Sequence, residues 1–185
     1  LESLREAVRL DPARYAPHDV HKYPIERLLG AGGMGCAFLC RDAVFERQAV
    51  VKTFWKARRG SLQEIFAEAR IMARLPDGHV PKPLDYGFAH GQERPYIAME
   101  YLEGYVDGEA WLAARGALSL ADGLGVGVQV AQSLHAAHDA KVAHLDLKPA
   151  NLLLKQTPSG LAVRIIDFGL ARVAERLGGT SIQAS

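Results

Sequence analysis

The sequence is poor in cysteine, has no long apolar run and carries no excess of charge of either sign. Its two cysteines, Cys36 and Cys40, imply no disulfide framework and favour a reducing, cytoplasmic setting. No run approaches the roughly 18 apolar residues of a transmembrane helix, and residues 1–10 lack the apolar centre of a signal peptide. Lysine and arginine number 22 against 21 acidic residues, for a net charge of +1. This balance argues against a protein that binds nucleic acid or a membrane surface.

What remains is a globular composition. The chain has 185 residues, of which 49% are hydrophobic and 23% charged, and no internal repeat or low-complexity tract interrupts it. This length accommodates one ordinary domain or two small lobes that share a cleft. Residues 1–22 combine an amphipathic start with Pro12 and Pro17, and we expect a short helix and a linker that lead into the domain.

The chain from residue 23 to residue 103 is predicted to be mainly β-structure with one helix. Short apolar runs indicate strands at residues 25–29, 36–40, 49–54, 84–89 and 96–100. Between the third and fourth strands, Ser61 and Glu64 form a capping-box pattern that begins a helix. Apolar residues follow at helical spacing, and this helix should end near residue 75, just before Pro76.

The chain after a hinge at about residues 100–104 is predicted to be mainly helical. The pattern indicates helices at residues 108–115 and 120–140, although three glycines weaken the prediction of the second helix. Two short strands at residues 151–154 and 162–166 flank a turn at residues 157–160.

A glycine-rich segment follows the first strand, with the residues Gly30, Ala31, Gly32, Gly33, Met34 and Gly35. Its spacing is G-x-G-x-x-G, and glycines let backbone N–H groups approach a polyphosphate closely. A dinucleotide-binding turn would continue into a helix, but the next residues predict a strand. We therefore expect a strand–loop–strand flap over phosphates, with an ordinary turn as the alternative. Cys36 and Cys40 should share one face of that strand as small apolar side chains rather than as a metal pair.

Two charged residues lie where the pattern predicts buried surroundings. Lys52 interrupts the apolar strand at residues 49–54; it suits a charge at the cleft-facing end of a strand, with a surface lysine as the alternative. Glu68 follows Phe66 near the apolar face of the predicted helix, where a carboxylate needs a cationic partner. Lys52 is the natural candidate for that partner. A solvated glutamate is the alternative, and Glu64 is better explained as a cap.

The strongest signal is a polar loop between apolar segments, with the sequence His-Leu-Asp-Leu-Lys-Pro-Ala-Asn at residues 144–151. Asp146 can accept a proton from an attacking hydroxyl, Lys148 can neutralise a transferring phosphoryl group, and Asn151 can offer an oxygen to Mg²⁺. A predicted strand then leads to Asp-Phe-Gly, in which Asp167 stands at a strand end beside a glycine. That position suits metal coordination, with an ordinary turn as the alternative.

In their order along the chain, these motifs resemble those of the protein kinase family. A glycine loop, a strand lysine, a helix glutamate, H-x-D-x-K-x-x-N and D-F-G follow one another within residues 23–175. The Gly-Gly-Met-Gly form resembles bacterial (Hanks-type) Ser/Thr kinases, and Lys148-Pro149 resembles Ser/Thr rather than Tyr kinases. Small-molecule kinases of the aminoglycoside type share part of the loop spacing, but they usually lack this lysine and a true D-F-G.

The resemblance implies an α+β fold of two lobes. An antiparallel N-lobe sheet with one helix would occupy residues 23–103, and a partial, mainly helical C-lobe residues 104–185. Backbone amides of residues 30–35 would cover the phosphates of ATP. Lys52 would hold the α- and β-phosphates and pair with Glu68.

The resemblance also implies roles for the hinge and for the polar loop. Glu100 and Leu102 would bind adenine, with Met99 behind it as gatekeeper. Asp146 would orient and deprotonate the substrate hydroxyl next to Lys148. The ligands of Mg²⁺ would be Asn151 and Asp167, and Phe168 would pack with His144 and Met72.

The chain departs from the family pattern at three places. Ala37 stands where the strand after the glycines usually has valine, which removes part of the ceiling over adenine. Leu145 replaces the arginine that normally binds a phosphorylated activation loop, so activation by loop phosphorylation is not expected. The sequence ends at Ser185, inside the expected activation loop and without an A-P-E motif. We therefore expect a piece of a longer chain with further domains, in which Thr180, Ser181 and Ser185 are candidate phosphorylation sites.

The implied function is that of an ATP- and Mg²⁺-dependent protein Ser/Thr kinase with an unknown protein substrate. Two alternatives remain open. One is a pseudokinase-like module that binds nucleotide and signals through a partner, and the other is a small-molecule kinase.

Overall fold

The computed structural model describes residues 9, 17–31, 35–54, 66, 69–70, 72–91, 94–168 and 172–173. The chain divides into two compact units. The first comprises Leu1–Ala69 and Lys82–Tyr101, and the second comprises Arg70–Pro81 and Leu102–Ser185. The chain passes from the first unit into the second for the last time between residues 101 and 102, a point that lies within residues 100–104, where the sequence predicts a hinge. In the described part of the chain, no helix is both long and apolar enough to cross a membrane.

The first unit contains a five-stranded antiparallel sheet. Its order is β1-β2-β3-β5-β4, with β1 (Ile25–Ala31), β2 (Gly35–Asp42), β3 (Arg47–Phe54), β4 (Pro83–Ala89) and β5 (Arg94–Glu100). The five predicted strands are confirmed. Each is longer than predicted, because ladder pairing continues beyond the apolar run that revealed the strand, as between Asp42 and Arg47.

One face of this sheet carries the hydrophobic core of the first unit. Side chains alternate between the two faces of a strand, and Val51 on the central strand β3 is paired with Phe38 on β2 and Ala98 on β5. These three side chains are fully buried. The other buried members of the cluster are Tyr23, Cys36, Cys40, Ala49, Ala89 and Tyr96.

Residues 17–22, part of the predicted lead-in, pack on this cluster through His18 and Val20. The buried ring of His18 lies edge-on to Phe38, with 5.4 Å between ring centroids, and its Nε2 is 3.3 Å from the Cys40 Sγ. Burial lowers the pKa of His18 to about 4 and raises the pKa of the Cys40 thiol to about 12. Cys36 and Cys40 are buried and form no disulfide, as expected of small apolar side chains.

The helix predicted after Ser61 lies largely outside the described residues. Its described positions, 66, 69, 70 and 72, are helical, and the chain turns at residue 73. The predicted end near residue 75 is therefore slightly late. A hydrogen bond of 3.3 Å from Leu75 N to Met72 O closes the turn. The apolar Leu75 continues the helical spacing of apolar residues, but it lies in this turn and not in the helix.

In the described residues after Leu102, the second unit has two α-helices and two small sheets. The helices are α1 (Gly108–Arg115) and α2 (Leu120–Asp139), and a 3-10 turn spans Pro149–Asn151. The sheets are β6-β8-β9 and β10-β7, formed by β6 (Val106–Asp107), β7 (Val142–Ala143), β8 (Leu152–Thr157), β9 (Gly160–Ile165) and β10 (Arg172–Val173). The three two-residue strands were not predicted, because so short a pairing has no periodicity.

Helix α2 forms as predicted despite three glycines in its first half. The Ser119 side chain caps it by accepting a hydrogen bond of 3.1 Å from Asp122 N. Val126, Ser133 and Ala137 are buried along one side of the helix. Tertiary packing of this side therefore outweighs the low helix propensity of glycine.

The β8–β9 hairpin differs slightly from the prediction. Strand β8 begins at Leu152 rather than at residue 151, because Asn151 ends the 3-10 turn. Strand β9 begins at Gly160, which pairs with Thr157 and has a φ of 114°, so a two-residue turn joins the strands. Strand β9 ends at Ile165, one residue before the predicted end.

Candidate active site

The glycine-rich segment joins two paired strands, as the sequence predicts. Gly30 pairs with Ala37 and Ala31 with Cys36, while Gly32, Gly33 and Met34 lie outside the described residues. Gly35 begins β2 against β3, where an added Cβ would lie 1.8 Å from the carbonyl oxygen of Thr53. Only glycine fits this close approach, so a glycine at position 35 allows β2 to pair with β3 from its first residue.

Lys52 lies on the sheet face opposite to the hydrophobic cluster. It is paired with Ala37 on β2 and with Ile97 on β5, and its half-buried side chain places Nζ 5.1 Å from the centroid of the Phe54 ring. The lysine therefore lies on a strand, as predicted, and that strand is the central one of the sheet. Its predicted partner, Glu68, lies outside the described residues.

The predicted adenine-binding segment follows β5. Met99 is buried and pairs with Val50 on β3. Glu100, the last residue of β5, donates its N–H to the Lys82 carbonyl at 2.8 Å. In the second unit, the Leu102 carbonyl accepts a hydrogen bond of 3.2 Å from Tyr105 N, whereas the Leu102 N–H has no partner among the described residues.

His144 anchors the polar loop of the second unit. Its ring is buried, its Nε2 donates to the Ile166 carbonyl at 2.9 Å, and its Nδ1 accepts a hydrogen bond of 3.3 Å from Asp146 N. The ring also contacts the buried Phe168, with 4.6 Å between centroids. The His144 side chain thus joins the backbone of the polar loop to the backbone that follows β9.

Asp146, Lys148 and Asn151 form one hydrogen-bonded group. The Asp146 Oδ2 is 2.8 Å from Lys148 Nζ and accepts a bond of 3.2 Å from Asn151 Nδ2. The same Nδ2 donates to the Asp146 carbonyl at 2.8 Å. The hydrogen bond from Lys148 lowers the pKa of Asp146, and that from Asn151 adds to the effect. The same ion pair raises the pKa of Lys148, so both groups are charged at neutral pH.

The β8–β9 hairpin brings Asn151 and Asp167 to neighbouring positions. Leu152 pairs with Ile165, and Ile166 N donates to the Asn151 carbonyl at 3.0 Å. Residues just before β8 and just after β9 are therefore adjacent, although they are far apart in sequence. Asp167 follows directly and has a φ of 63°, a backbone conformation uncommon for residues other than glycine.

Gln129 on α2 holds this hairpin in place and was not predicted. Its Nε2 donates to the Leu161 carbonyl at 2.7 Å, and its Oε1 accepts a bond of 3.2 Å from Val163 N. In sequence it resembles any surface glutamine of a helix. Its position one turn before the buried Ser133 is the signal that places it on the packed side of α2.

Leu145 lies within the polar loop but faces solvent. Its side chain is 61% exposed, and its φ is 63°. The position that carries an arginine in the resembled pattern therefore presents an apolar side chain at the surface. Gly169 and the hydroxyl residues Thr180, Ser181 and Ser185 lie outside the described residues.

The chain matches the family model described as the protein kinase domain over residues 23–183. It is 35% identical over 164 residues to the serine/threonine-protein kinase PknJ of Mycobacterium tuberculosis, covering 86% of this chain and 27% of that protein. It is 33% identical over 155 residues to the serine/threonine-protein kinase PksC of Streptomyces coelicolor, covering 80% of this chain and 27% of that protein. The chain thus spans about a quarter of the length of these relatives.

The fold is also similar to a solved kinase structure. The crystal structure of the PknI kinase domain of Mycobacterium tuberculosis matches with a TM-score of 0.67 and 27% identity, over 82% of this chain and 61% of that chain. The similarity confirms the predicted α+β kinase fold, with an antiparallel N-lobe sheet and a partial C-lobe. Since the family match includes both the glycine-rich hairpin and the Asp146 loop, this chain belongs to the protein kinase family, among relatives that are bacterial Ser/Thr kinases.

Proposed function

We propose that the chain is the nucleotide-binding and catalytic part of a protein Ser/Thr kinase that transfers the γ-phosphate of ATP to a protein hydroxyl. The hydrogen-bonded group of Asp146, Lys148 and Asn151 carries the proposal. It joins an ionised acceptor, a cation and an amide in one loop, and phosphoryl transfer depends on positioning and charge more than on covalent chemistry.

Asp146 orients the substrate hydroxyl and accepts its proton. Its Oδ2 is occupied by Lys148 and Asn151, so Oδ1 is the oxygen that faces the hydroxyl. The lowered pKa of Asp146 keeps the carboxylate ionised at neutral pH but makes it a weak base. This suits a loose transition state, in which the hydroxyl loses its proton late and its orientation matters most.

Asn151 and Asp167 fit the ligand set of a magnesium ion. The Asn151 amide uses its Nδ2 for Asp146, which leaves its Oδ1 as a hard oxygen ligand, and the backbone bond from Ile166 N to the Asn151 carbonyl makes Asp167 the next residue along the facing strand end. Magnesium sites in such enzymes take one or two protein oxygens together with phosphates and water. Among the described residues, no group of three or more His, Cys, Asp or Glu could hold a metal ion. When bound, Mg²⁺ neutralises charge on the phosphates.

Most of the proposed contacts to ATP come from the first unit. We propose that backbone amides of residues 30–35 cover the phosphates and that Lys52 binds the α- and β-phosphates and pairs with Glu68. The position of Lys52 on the sheet face away from the hydrophobic cluster supports its proposed role in binding phosphates. The backbone of Glu100 and the N–H of Leu102 would bind adenine, with Met99 behind the ring.

The loop with Leu145 has a regulatory consequence. An exposed leucine offers no charge to a phosphate on the activation loop, so phosphorylation there does not order the loop through this position. We propose that activity is independent of activation-loop phosphorylation.

The acceptor class distinguishes this proposal from a small-molecule kinase. The whole protein chain is incubated with Mg·ATP and three acceptors: a Ser/Thr-containing protein, a protein whose only hydroxyl side chains are tyrosines, and an aminoglycoside. We expect phosphate on serine or threonine, measured by mass spectrometry. Transfer to the aminoglycoside alone would contradict the proposal, and ATP binding without transfer to any acceptor would favour the pseudokinase-like alternative.

A further inference from the structure

The second unit contains a cavity that the proposed chemistry does not use. Its volume is about 450 Å³, within the range of sites that bind small ligands or side chains. It lies between α1 and the segment that leads into β6, with β8 on one side. Its lining includes Gly104, Ala110, Trp111, Ala114, Arg115 and Lys155, none of which belongs to the proposed catalytic set.

The floor of the cavity is apolar and rigid. Trp111 is only 6% exposed and packs into the hydrophobic cluster of the second unit, so its ring has a fixed position. Ala110 and Ala114 lie one helical turn apart on α1, and their small side chains line the cavity. Helix α1 also packs closely against the polar loop. A Cβ on Gly108, the first residue of α1, would lie only 2.7 Å from the Pro149 carbonyl oxygen.

Two cations border this floor. The guanidinium carbon of Arg115 lies 4.1 Å from the centroid of the Trp111 ring, a stacked arrangement. Lys155 Nζ donates to the Glu103 carbonyl at 2.9 Å and lies 5.7 Å from the Tyr105 ring centroid. Neither cation has a carboxylate partner among the described residues, and the residues that line the cavity include no acid.

We propose that this cavity docks a segment of the protein substrate in which a bulky apolar residue stands beside acidic residues. The apolar side chain enters the cavity beside Ala110 and Ala114, and the carboxylates pair with Arg115 and Lys155. This inference rests on the proposed function, because it names a feature of the protein substrate of the proposed kinase. The charge and the apolar floor together select an acidic peptide over a basic one.

Binding is measured first, without ATP, by fluorescence anisotropy of a labelled peptide of alternating leucine and aspartate. A leucine–lysine peptide of equal length is the control probe. In the double variant Arg115→Glu, Lys155→Glu we expect the Kd for the acidic peptide to rise about tenfold or more. The matched variant Arg74→Glu, Lys141→Glu reverses two other exposed cations of the second unit and should leave the Kd unchanged. Ala114→Trp, which fills the cavity, should also weaken binding.

Two results would overturn the docking site. One is equal binding of the acidic and basic peptides. The other is an unchanged Kd in both Arg115→Glu, Lys155→Glu and Ala114→Trp, with thermal melts showing that the variants are folded.

Kinetics separate this proposal from the kinase proposal. A Ser-containing acceptor peptide is compared with the same acceptor joined to the leucine–aspartate segment. The joined peptide should have a KM lower by about tenfold with the same kcat, and Arg115→Glu, Lys155→Glu should remove that advantage while the acceptor alone reacts as before. An absence of the KM advantage contradicts docking. If neither peptide is phosphorylated, the kinase proposal fails, whereas the binding measurement still decides the docking site.

Discussion

The two units position their functional residues by different means. In the first unit, strand register places Lys52, which is paired with Ala37 and Ile97 in the central strand of a sheet. In the second unit, side-chain hydrogen bonds place the functional residues: the buried His144 accepts a bond from Asp146 N, and Asn151 donates one to the Asp146 carbonyl. A position set by backbone pairing survives replacement of its side chain, whereas a position set by side-chain hydrogen bonds is disturbed when one partner is removed.

The largest difference is expected for Asn151→Ala in the second unit. The change removes both the proposed metal oxygen and the two hydrogen bonds to Asp146. We expect kcat to fall about 10³-fold, the scale of losing a preorganised electrostatic contact, together with a higher requirement for Mg²⁺. Steady-state kinetics at several Mg²⁺ concentrations measure both effects. Gln132→Ala, which removes an exposed amide from α2, is the control; equal losses in the two variants would contradict the role of Asn151.

Adjacent residues on β3 test the first unit. Lys52→Met should reduce kcat/KM for ATP about 100-fold with little change in the free energy of unfolding, because Lys52 faces away from the hydrophobic cluster. Val51→Ala should do the opposite, because it leaves a cavity in that cluster. We expect the free energy of unfolding to fall by about 2 kcal/mol while kcat/KM for ATP changes little. Denaturant titrations and initial rates give both values. If the two variants lose rate and stability together, the two-face description of β3 is wrong.

The smallest effect is a shift in the pH profile of Lys148→Met. In the wild type, the hydrogen bond from Lys148 lowers the pKa of Asp146. With the proposed role of Asp146 as the base, protonation of its carboxylate should stop catalysis only at pH values below the ordinary carboxyl range. Without Lys148 the pKa of Asp146 rises, and the acid limb of the kcat profile should move to higher pH, with about a tenfold lower plateau. An acid limb at the same pH in both proteins would show that Lys148 does not set the pKa of Asp146.

The sequence predicts elements that have their own periodicity or punctuation. The strands of the first sheet, α1 and α2 follow from apolar spacing and from the cap at Ser119, because local propensity and packing agree there. The strand–loop–strand reading of the glycine segment also follows from local pattern. It separates this hairpin from a dinucleotide-binding turn, since β2 and not a helix comes next.

The relations between distant segments could not be predicted in the same way. The two-residue strand β7 pairs with β10 through residues that give no local signal. Gln129 holds β9 through contacts 32 and 34 residues away, and a glutamine on a helix gives no hint of its partner. The cavity at Trp111 likewise arises only when α1 and β8 are brought together, because its lining comes from three separate segments.

The most direct test of the account is transfer of the γ-phosphate from Mg·ATP to a Ser/Thr-containing protein, with Asp146→Asn as the paired variant. The amide keeps the size of the carboxylate but cannot accept the proton. We predict transfer by the wild type and a loss of about 10²- to 10⁴-fold in the variant, with nucleotide binding retained in both. Transfer at equal rates by the two proteins, or no transfer by the wild type, would contradict the assignment of Asp146 as the catalytic base.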